Sequence, residues 1–157
     1  VTAAQAWAAG VGAVIDAEVG TSVQTFDGSM SELPLQGQYR VVALTDGVCK
    51  LAGPMMTGLV TQLGKTALLE INHVYVIVVT GKMQLLDRVQ ISMVGLDPTQ
   101  MKLIVIKSAN HFRADFSSMV TDPETDILIA KCPGPKAVDP GDYHWTQLPD
   151  SISRRPA

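Results

Sequence analysis

The pattern of apolar and polar residues in the first quarter of the chain predicts a helix, a strand and a loop in that order. Residues 3–9 are Ala-rich and stop at Gly10, which is typical of a short helix with a glycine C-cap. The alternation over residues 11–19 then predicts a strand. Residues 21–34 have no period and are rich in Ser, Gly, Asp and Thr, so we expect a surface loop there.

Two hairpins are predicted next. The pair Asp46-Gly47 lies between the apolar runs 38–44 and 48–51. Asp-Gly between such runs favours a hairpin, because both central positions accept positive φ. Residues 65–80 predict a second hairpin with Asn72-His73 at its tip. Antiparallel pairs should therefore form the first part of a sheet.

A different order of elements follows. Asp87 is a good N-cap for a helix over residues 88–94. Residues 101–106 predict a buried strand, and the continuous apolar run 126–130 is typical of a strand buried on both faces. Residues 112–120 between them have helical spacing. This order predicts a βαβ unit with a right-handed crossover. The expected fold class is α+β, with a mixed β-sheet built from antiparallel hairpins plus this C-terminal βαβ unit.

Length and composition limit the class of protein. At 157 residues, with 46% hydrophobic and 17% charged positions, the chain fits a single domain over residues 1–157. Within it, residues 1–10 would be the end of a helix entering the domain and residues 133–157 an extended Pro-rich tail. The net charge of -3 and scattered basic residues argue against nucleic-acid binding. The longest apolar run, residues 74–79, is far shorter than the ~20 residues of a membrane span.

Metal and nucleophile chemistry lack their usual spacing. His73, His111 and His144 are isolated from one another, so we expect no metal site within this chain. Cys49 and Cys132 leave a disulfide open, but buried free thiols are favoured, which suits a cytoplasmic location. No Gly-x-Ser-x-Gly elbow supports an independent serine hydrolase.

The candidate site is a polar turn between a predicted strand and a predicted helix. Its substrate-binding or domain-interface residues are Lys107, Ser108, Asn110, His111 and Arg113. Ser108 or Asn110 could equally be the N-cap of the helix. Cations in a first helical turn cost about 0.3 to 1 kcal/mol, so His111 and Arg113 require an anionic partner. Asp115, Asp122 or another carboxylate of the fold would supply one without any function, and a ligand or a partner domain would supply one otherwise.

The same turn carries a family resemblance. The string Lys107-Ser108-x-x-His111-Phe112-Arg113-Ala114 follows Gly95-Leu96-Asp97-Pro98 and precedes Cys132-Pro133-Gly134. This ordering resembles the C-terminal domain of the MlrC-like family, the microcystinase C group of zinc peptidases. Weaker matches extend the resemblance over most of the chain, at residues 8–13, residues 44–47, Gly53-Pro54 and Arg155-Pro156.

The resemblance implies a function for a larger protein. Relatives carry the zinc ligands on an N-terminal domain that is absent here, and the chain opens at Val1 without methionine, so we expect a domain fragment. It would complete the cleft of a zinc-dependent peptidase or amidohydrolase acting on linear peptides or amides, and would be inactive alone. Its partners would be the N-terminal domain and the substrate; homo-oligomerisation stays open. The alternative is a self-standing structural or oligomerisation domain without catalysis.

Overall fold

A computed structural model of the chain describes residues 1–108, 110–130, 132, 134–137 and 139–155. The helices are α1 (Thr2–Ala9), α2 (Val89–Ser92), α3 (Arg113–Phe116) and α4 (Pro123–Asp126), with 3-10 turns at Pro98–Gln100, Ser117–Met119 and Pro140–Asp142. The strands are β1 (Val14–Val19), β2 (Leu35–Thr45), β3 (Val48–Lys50), β4 (Val60–Gln62), β5 (Thr66–Ile71) and β6 (Val74–Val79). The chain divides into two compact units, Val1–Val19 with Gln36–Ile127, and Gly20–Leu35 with Leu128–Ala157.

The main sheet of the first unit has the strand order β1-β2-β5-β6. β5 pairs antiparallel with both β2 and β6. The predicted hairpin of β5 and β6 is confirmed, and its tip residues Asn72 and His73 have positive φ values of 50° and 65°. Two-residue hairpin turns of this kind match the right-handed twist of the strands they join. β6 lies at the edge of the sheet, and Val74, Tyr75 and Val79 are exposed on it.

Helix α1 packs on the main sheet, as its Ala-rich sequence permits. Ala6 is fully buried against side chains of β1, β2 and β5. That cluster consists of Ala6, Ile15, Ala17, Tyr39, Val41, Ala67 and Leu69. The helix ends at the predicted Gly10, whose φ is 86° and whose N–H donates to the Ala6 carbonyl at 3.0 Å. Glycine suits this position because a Cβ disfavours positive φ.

The first predicted hairpin is wrong in its pairing. β2 pairs with β5, whereas β3 pairs with β4 in a separate two-stranded sheet. Gly47 is responsible, since its φ of 74° turns the chain away from β2, and its carbonyl accepts from Leu63 N–H at 2.9 Å. A Cβ at Gly47 would collide with the Gly64 carbonyl. The Asp46-Gly47 turn therefore directs the chain onto residues 63–64 instead of reversing it.

The α+β class is confirmed, but the C-terminal βαβ unit is not formed. Residues 101–106 and 127–130 are described and contain no strand, and residue 126 ends α4. Leu103 and Val105 are 77% and 87% exposed. Ile104 and Ile106 instead pack inward. Residues 101–106 are thus an extended segment with one buried face, and the paired strands described here are antiparallel.

The second unit has a small aromatic cluster of its own. Tyr143 lies edge-on to both Phe26, at 5.4 Å between centroids, and Trp145, at 5.6 Å. The Tyr143 hydroxyl accepts from Ala137 N–H at 2.9 Å. The Pro-rich tail is therefore packed with the predicted 21–34 loop, which supplies Phe26.

Two further sequence expectations concern thiols and membranes. Cys49 and Cys132 are both free, and Cys49 is buried as expected, whereas Cys132 is exposed. None of the helices within the described residues has the length and apolarity that crossing a bilayer requires.

Candidate functional site

The polar turn links the extended segment 101–106 to α3. Lys107, Asn110 and His111 are exposed, while Ser108 and Arg113 are partly buried. The turn closes through Arg113 N–H, which donates to the Asn110 carbonyl at 3.0 Å. The five predicted residues therefore lie on one turn of the first unit.

Gln84 joins two side chains of this turn. Its Nε2 donates to Ser108 Oγ at 2.6 Å. Its Oε1 lies 3.0 Å from His111 Nδ1. A single amide therefore bridges the serine and the histidine, which are three residues apart in sequence and contact Gln84 from 24 and 27 residues away.

A hydrophobic cluster lies next to both ends of this bridge. Ile91, Phe112 and Phe116 are its buried members. Phe112 directly follows His111, and Leu85, which directly follows Gln84, packs against the same cluster. Phe112 and Phe116 thus anchor α3 to this cluster. Close-packed apolar side chains hold their backbones in place, so the cluster fixes Gln84 relative to His111.

Arg113 has no carboxylate partner among the described residues. Its guanidinium lies 5.8 Å from the centre of the adjacent Phe112 ring. Asp115, which the sequence offered as an internal partner, instead binds Arg88, through Oδ1 to Nη2 at 3.0 Å. Its Oδ2 also accepts from Arg88 N–H at 2.7 Å. The cationic head of Arg113 is therefore available to an anion.

A second polar cluster lies beside α2. Asp87 Oδ2 accepts from the N–H groups of Ala52 and Gly53, at 2.8 and 2.6 Å. Its Oδ1 accepts from the N–H of Val89, the first residue of α2, at 2.9 Å. The N-cap position itself is occupied by Arg88, one residue after the predicted Asp87, and α2 is shorter than predicted. Three N–H donors satisfy this buried carboxylate.

Gly53 is required by this cluster. A Cβ there would lie 3.0 Å from Asp115 Cγ and 3.1 Å from Asp87 Oδ2. The neighbouring cavity of about 290 Å³ is lined by Asp87, Asp115 and Asp97 among others. Hydrogen bonds from the Thr99 hydroxyl and N–H lower the pKa of Asp97 below its ordinary value. The carboxylates here are satisfied by protein donors, so the cluster has a structural role.

Two expectations at the turn need correction. Neither Ser108 nor Asn110 is the N-cap of α3, because Phe112 occupies that position and no side chain caps the helix. α3 is also only four residues long, so a helix-dipole penalty on His111 and Arg113 is small. Sequence reasoning missed Gln84, since an exposed glutamine in an irregular segment has no distinguishing pattern.

No metal cluster is present in the part of the chain that the structure describes, where no three His, Cys, Asp or Glu side chains converge. His111 is the histidine of the candidate turn, and one imidazole does not make a zinc site. The described residues therefore do not fit a bound zinc ion on their own.

The comparisons with known proteins identify the family. The model of the MlrC C-terminus matches residues 1–147, so the chain belongs to this family of C-terminal domains. A solved candidate metallopeptidase from Mesorhizobium sp. BNC1 is 26% identical, with a TM-score of 0.65 over 75% of this chain. The match covers 23% of that longer chain. No curated protein is significantly similar.

Proposed function

We propose that this chain is the cleft-completing C-terminal domain of a zinc-dependent peptidase or amidohydrolase that acts on linear peptides or amides. Family membership over residues 1–147 supports the assignment. The observation that carries the role at the cleft is that Arg113, two residues after the amide-held His111, has no carboxylate partner among the described residues. In this proposal neither domain is active alone.

Arg113 would bind the carboxylate of the substrate or of the partner domain. A guanidinium can hold a carboxylate through two parallel hydrogen bonds, which fixes orientation as well as charge. Lys107 and Asn110 are exposed on the same turn and would add further polar contacts. Ser108 is engaged by Gln84 and would support His111 rather than act as a nucleophile.

The partner surface would include the extended segment before the turn. Leu103 and Val105 are strongly exposed, whereas Ile104 and Ile106 are packed. Such alternation is typical of a strand with one uncovered face. The matched metallopeptidase is much longer than this chain, which supports an N-terminal domain as the covering partner. Zinc would be held by that domain, and a cytoplasmic location stays a prediction.

Arg113→Lys tests the proposal in the two-domain enzyme. The variant keeps the charge but loses the planar fork, so we expect kcat/KM to fall about 10- to 100-fold. Arg40→Lys is the matched control, because Arg40 already pairs with Glu70 on the main sheet at 2.7 Å. Its activity should remain near that of the parent enzyme.

Stability of the 157-residue chain separates this role from an internal one. With no carboxylate partner for Arg113 in the described residues, Arg113→Lys should leave the free energy of unfolding almost unchanged. A loss above about 2 kcal/mol would instead place a buried partner within the chain. Unchanged activity in the two-domain enzyme would favour the alternative of a structural or oligomerisation domain.

A further inference from the structure

We infer that Gln84 is a positioning residue that fixes neutral His111 as its Nδ1–H tautomer, so that Nε2 is a hydrogen-bond acceptor for a ligand. The inference about the tautomer stands on the geometry of this chain. The role toward the substrate rests on the proposed function. In that role His111 accepts a hydrogen bond from an N–H of the peptide or amide, while Arg113 binds a carboxylate.

The direction of each hydrogen bond follows from the Gln84 amide. Its Nε2 has hydrogens and donates to Ser108 Oγ at 2.6 Å. Its Oε1 can only accept, and it lies 3.0 Å from His111 Nδ1. With the Gln84 amide oriented this way, Nδ1 of His111 carries the hydrogen that Oε1 accepts. In a neutral imidazole the other nitrogen, Nε2, is then unprotonated.

The main chain of Gln84 is itself held in place. The buried Gln90 donates from Nε2 to the Gln84 carbonyl at 3.1 Å. Gln90 Oε1 accepts from Leu86 N–H and Asp87 N–H at 2.9 and 3.1 Å. One buried amide thus binds three main-chain groups of residues 84–87. This rigid segment presents the Gln84 side chain to the turn.

The free edge of His111 gives the ligand chemistry. Nε2 has no partner among the described residues, and His111 is exposed. A lone pair there accepts from an N–H or O–H group, which an amide substrate offers and a carboxylate does not. Arg113, two residues further on, offers only donors. Together the two residues match a peptide segment that presents an N–H beside a carboxylate.

The first experiment measures ring-nitrogen NMR spectra of histidine in the 157-residue chain above the pH at which imidazole ionises. We expect His111 to show the Nδ1–H pattern and Gln84→Ala to introduce the Nε2–H pattern. Gln84→Glu should restore Nδ1–H, because a carboxylate still accepts from it. Gln62→Ala is the control, since Gln62 is exposed on β4 and makes no side-chain hydrogen bond among the described residues. An Nε2–H pattern in the parent chain would overturn the inference.

The second experiment separates the tautomer from the proposed function. In the two-domain enzyme we expect Gln84→Ala to lower kcat/KM about 10-fold, as removal of a histidine-orienting partner does at metal sites. Gln84→Glu should recover most of that loss. If the tautomer changes in Gln84→Ala while kcat/KM does not, the substrate role of His111 is wrong even where Arg113→Lys is impaired. If Arg113→Lys is unaffected but Gln84→Ala is impaired, only the role of Arg113 is wrong.

Discussion

The hydrophobic cluster beneath the polar turn gives the most direct test of the structure. Phe116 is only 5% exposed and packs with Ile91 and Phe112. Phe116→Ala would remove the ring from this buried position and leave a cavity that its neighbours fill only in part. Substitutions of this kind cost about 3 to 5 kcal/mol in the free energy of unfolding. We expect a value in that range.

Urea unfolding followed by tryptophan fluorescence measures this loss. Trp7 reports on the first unit, because its indole N–H donates to the Thr66 carbonyl at 3.1 Å. The midpoint should fall while the m value stays constant, as for a pure change in stability. Phe116→Leu is the matched control, since it keeps most of the volume and should cost about 1.5 kcal/mol or less.

A second control lies in the other unit. Phe26 is 38% exposed, so Phe26→Ala should destabilise less than Phe116→Ala. A loss below about 1 kcal/mol for Phe116→Ala, at constant m value, would refute the packing argument. It would mean that α3 is not anchored and that the distance from Gln84 to His111 is not fixed by the core.

Three further predictions concern polar groups. Gly53→Ala should cost about 1 to 3 kcal/mol in urea unfolding, because its Cβ meets Asp87 and Asp115; parent-like stability would contradict this close packing. Asp115→Asn should weaken the pair with the half-exposed Arg88 and cost about 1 to 3 kcal/mol, measured in the same way. Hydrogen bonds from Thr25, then Ser29, lower the pKa of Asp27 to about 2. Its contribution to stability should be complete above its unfolded pKa of about 3.9 and lost as pH falls through about 2. NMR titration of the Asp27 carboxyl group should give a midpoint of about 2. A midpoint of about 3.9 would exclude the hydrogen bonds from Thr25 and Ser29.

Local signals in the sequence predicted the parts of the fold that depend on neighbouring residues. The hairpin of β5 and β6 could be predicted because only the two residues Asn72 and His73 form the turn between the strands. The first hairpin failed because pairing partners are selected at long range. The turn at Gly47 was predicted correctly, but contacts with Leu63 decide where the chain goes after it.

The apolar run 101–106 was misinterpreted for a similar reason. A continuous run cannot distinguish a strand with two buried faces from one with a single buried face. The structure packs Ile104 and Ile106 and exposes Leu103 and Val105. Alternate side chains of the run therefore pack against the hydrophobic cluster, and those between them stay exposed to solvent.

The residues of the candidate turn could be chosen from sequence because they are contiguous. Their partner Gln84 could not, since nothing local marks a glutamine that reaches a histidine 27 residues later. Neighbouring residues in sequence also could not show whether Arg113 has a carboxylate partner. Asp115 is only two residues from Arg113 in sequence, but its carboxylate is engaged by Arg88.

The position of β6 has a consequence for handling this domain. Its six residues are all apolar, and none of them is a Lys, Glu or Pro of the kind that protects edge strands from pairing with another molecule. Unpaired main-chain groups at such an edge template intermolecular sheets. Concentrated preparations of the chain alone should therefore aggregate through β6. A lysine in place of the exposed Tyr75 would serve as a gatekeeper residue that keeps the protein dispersed.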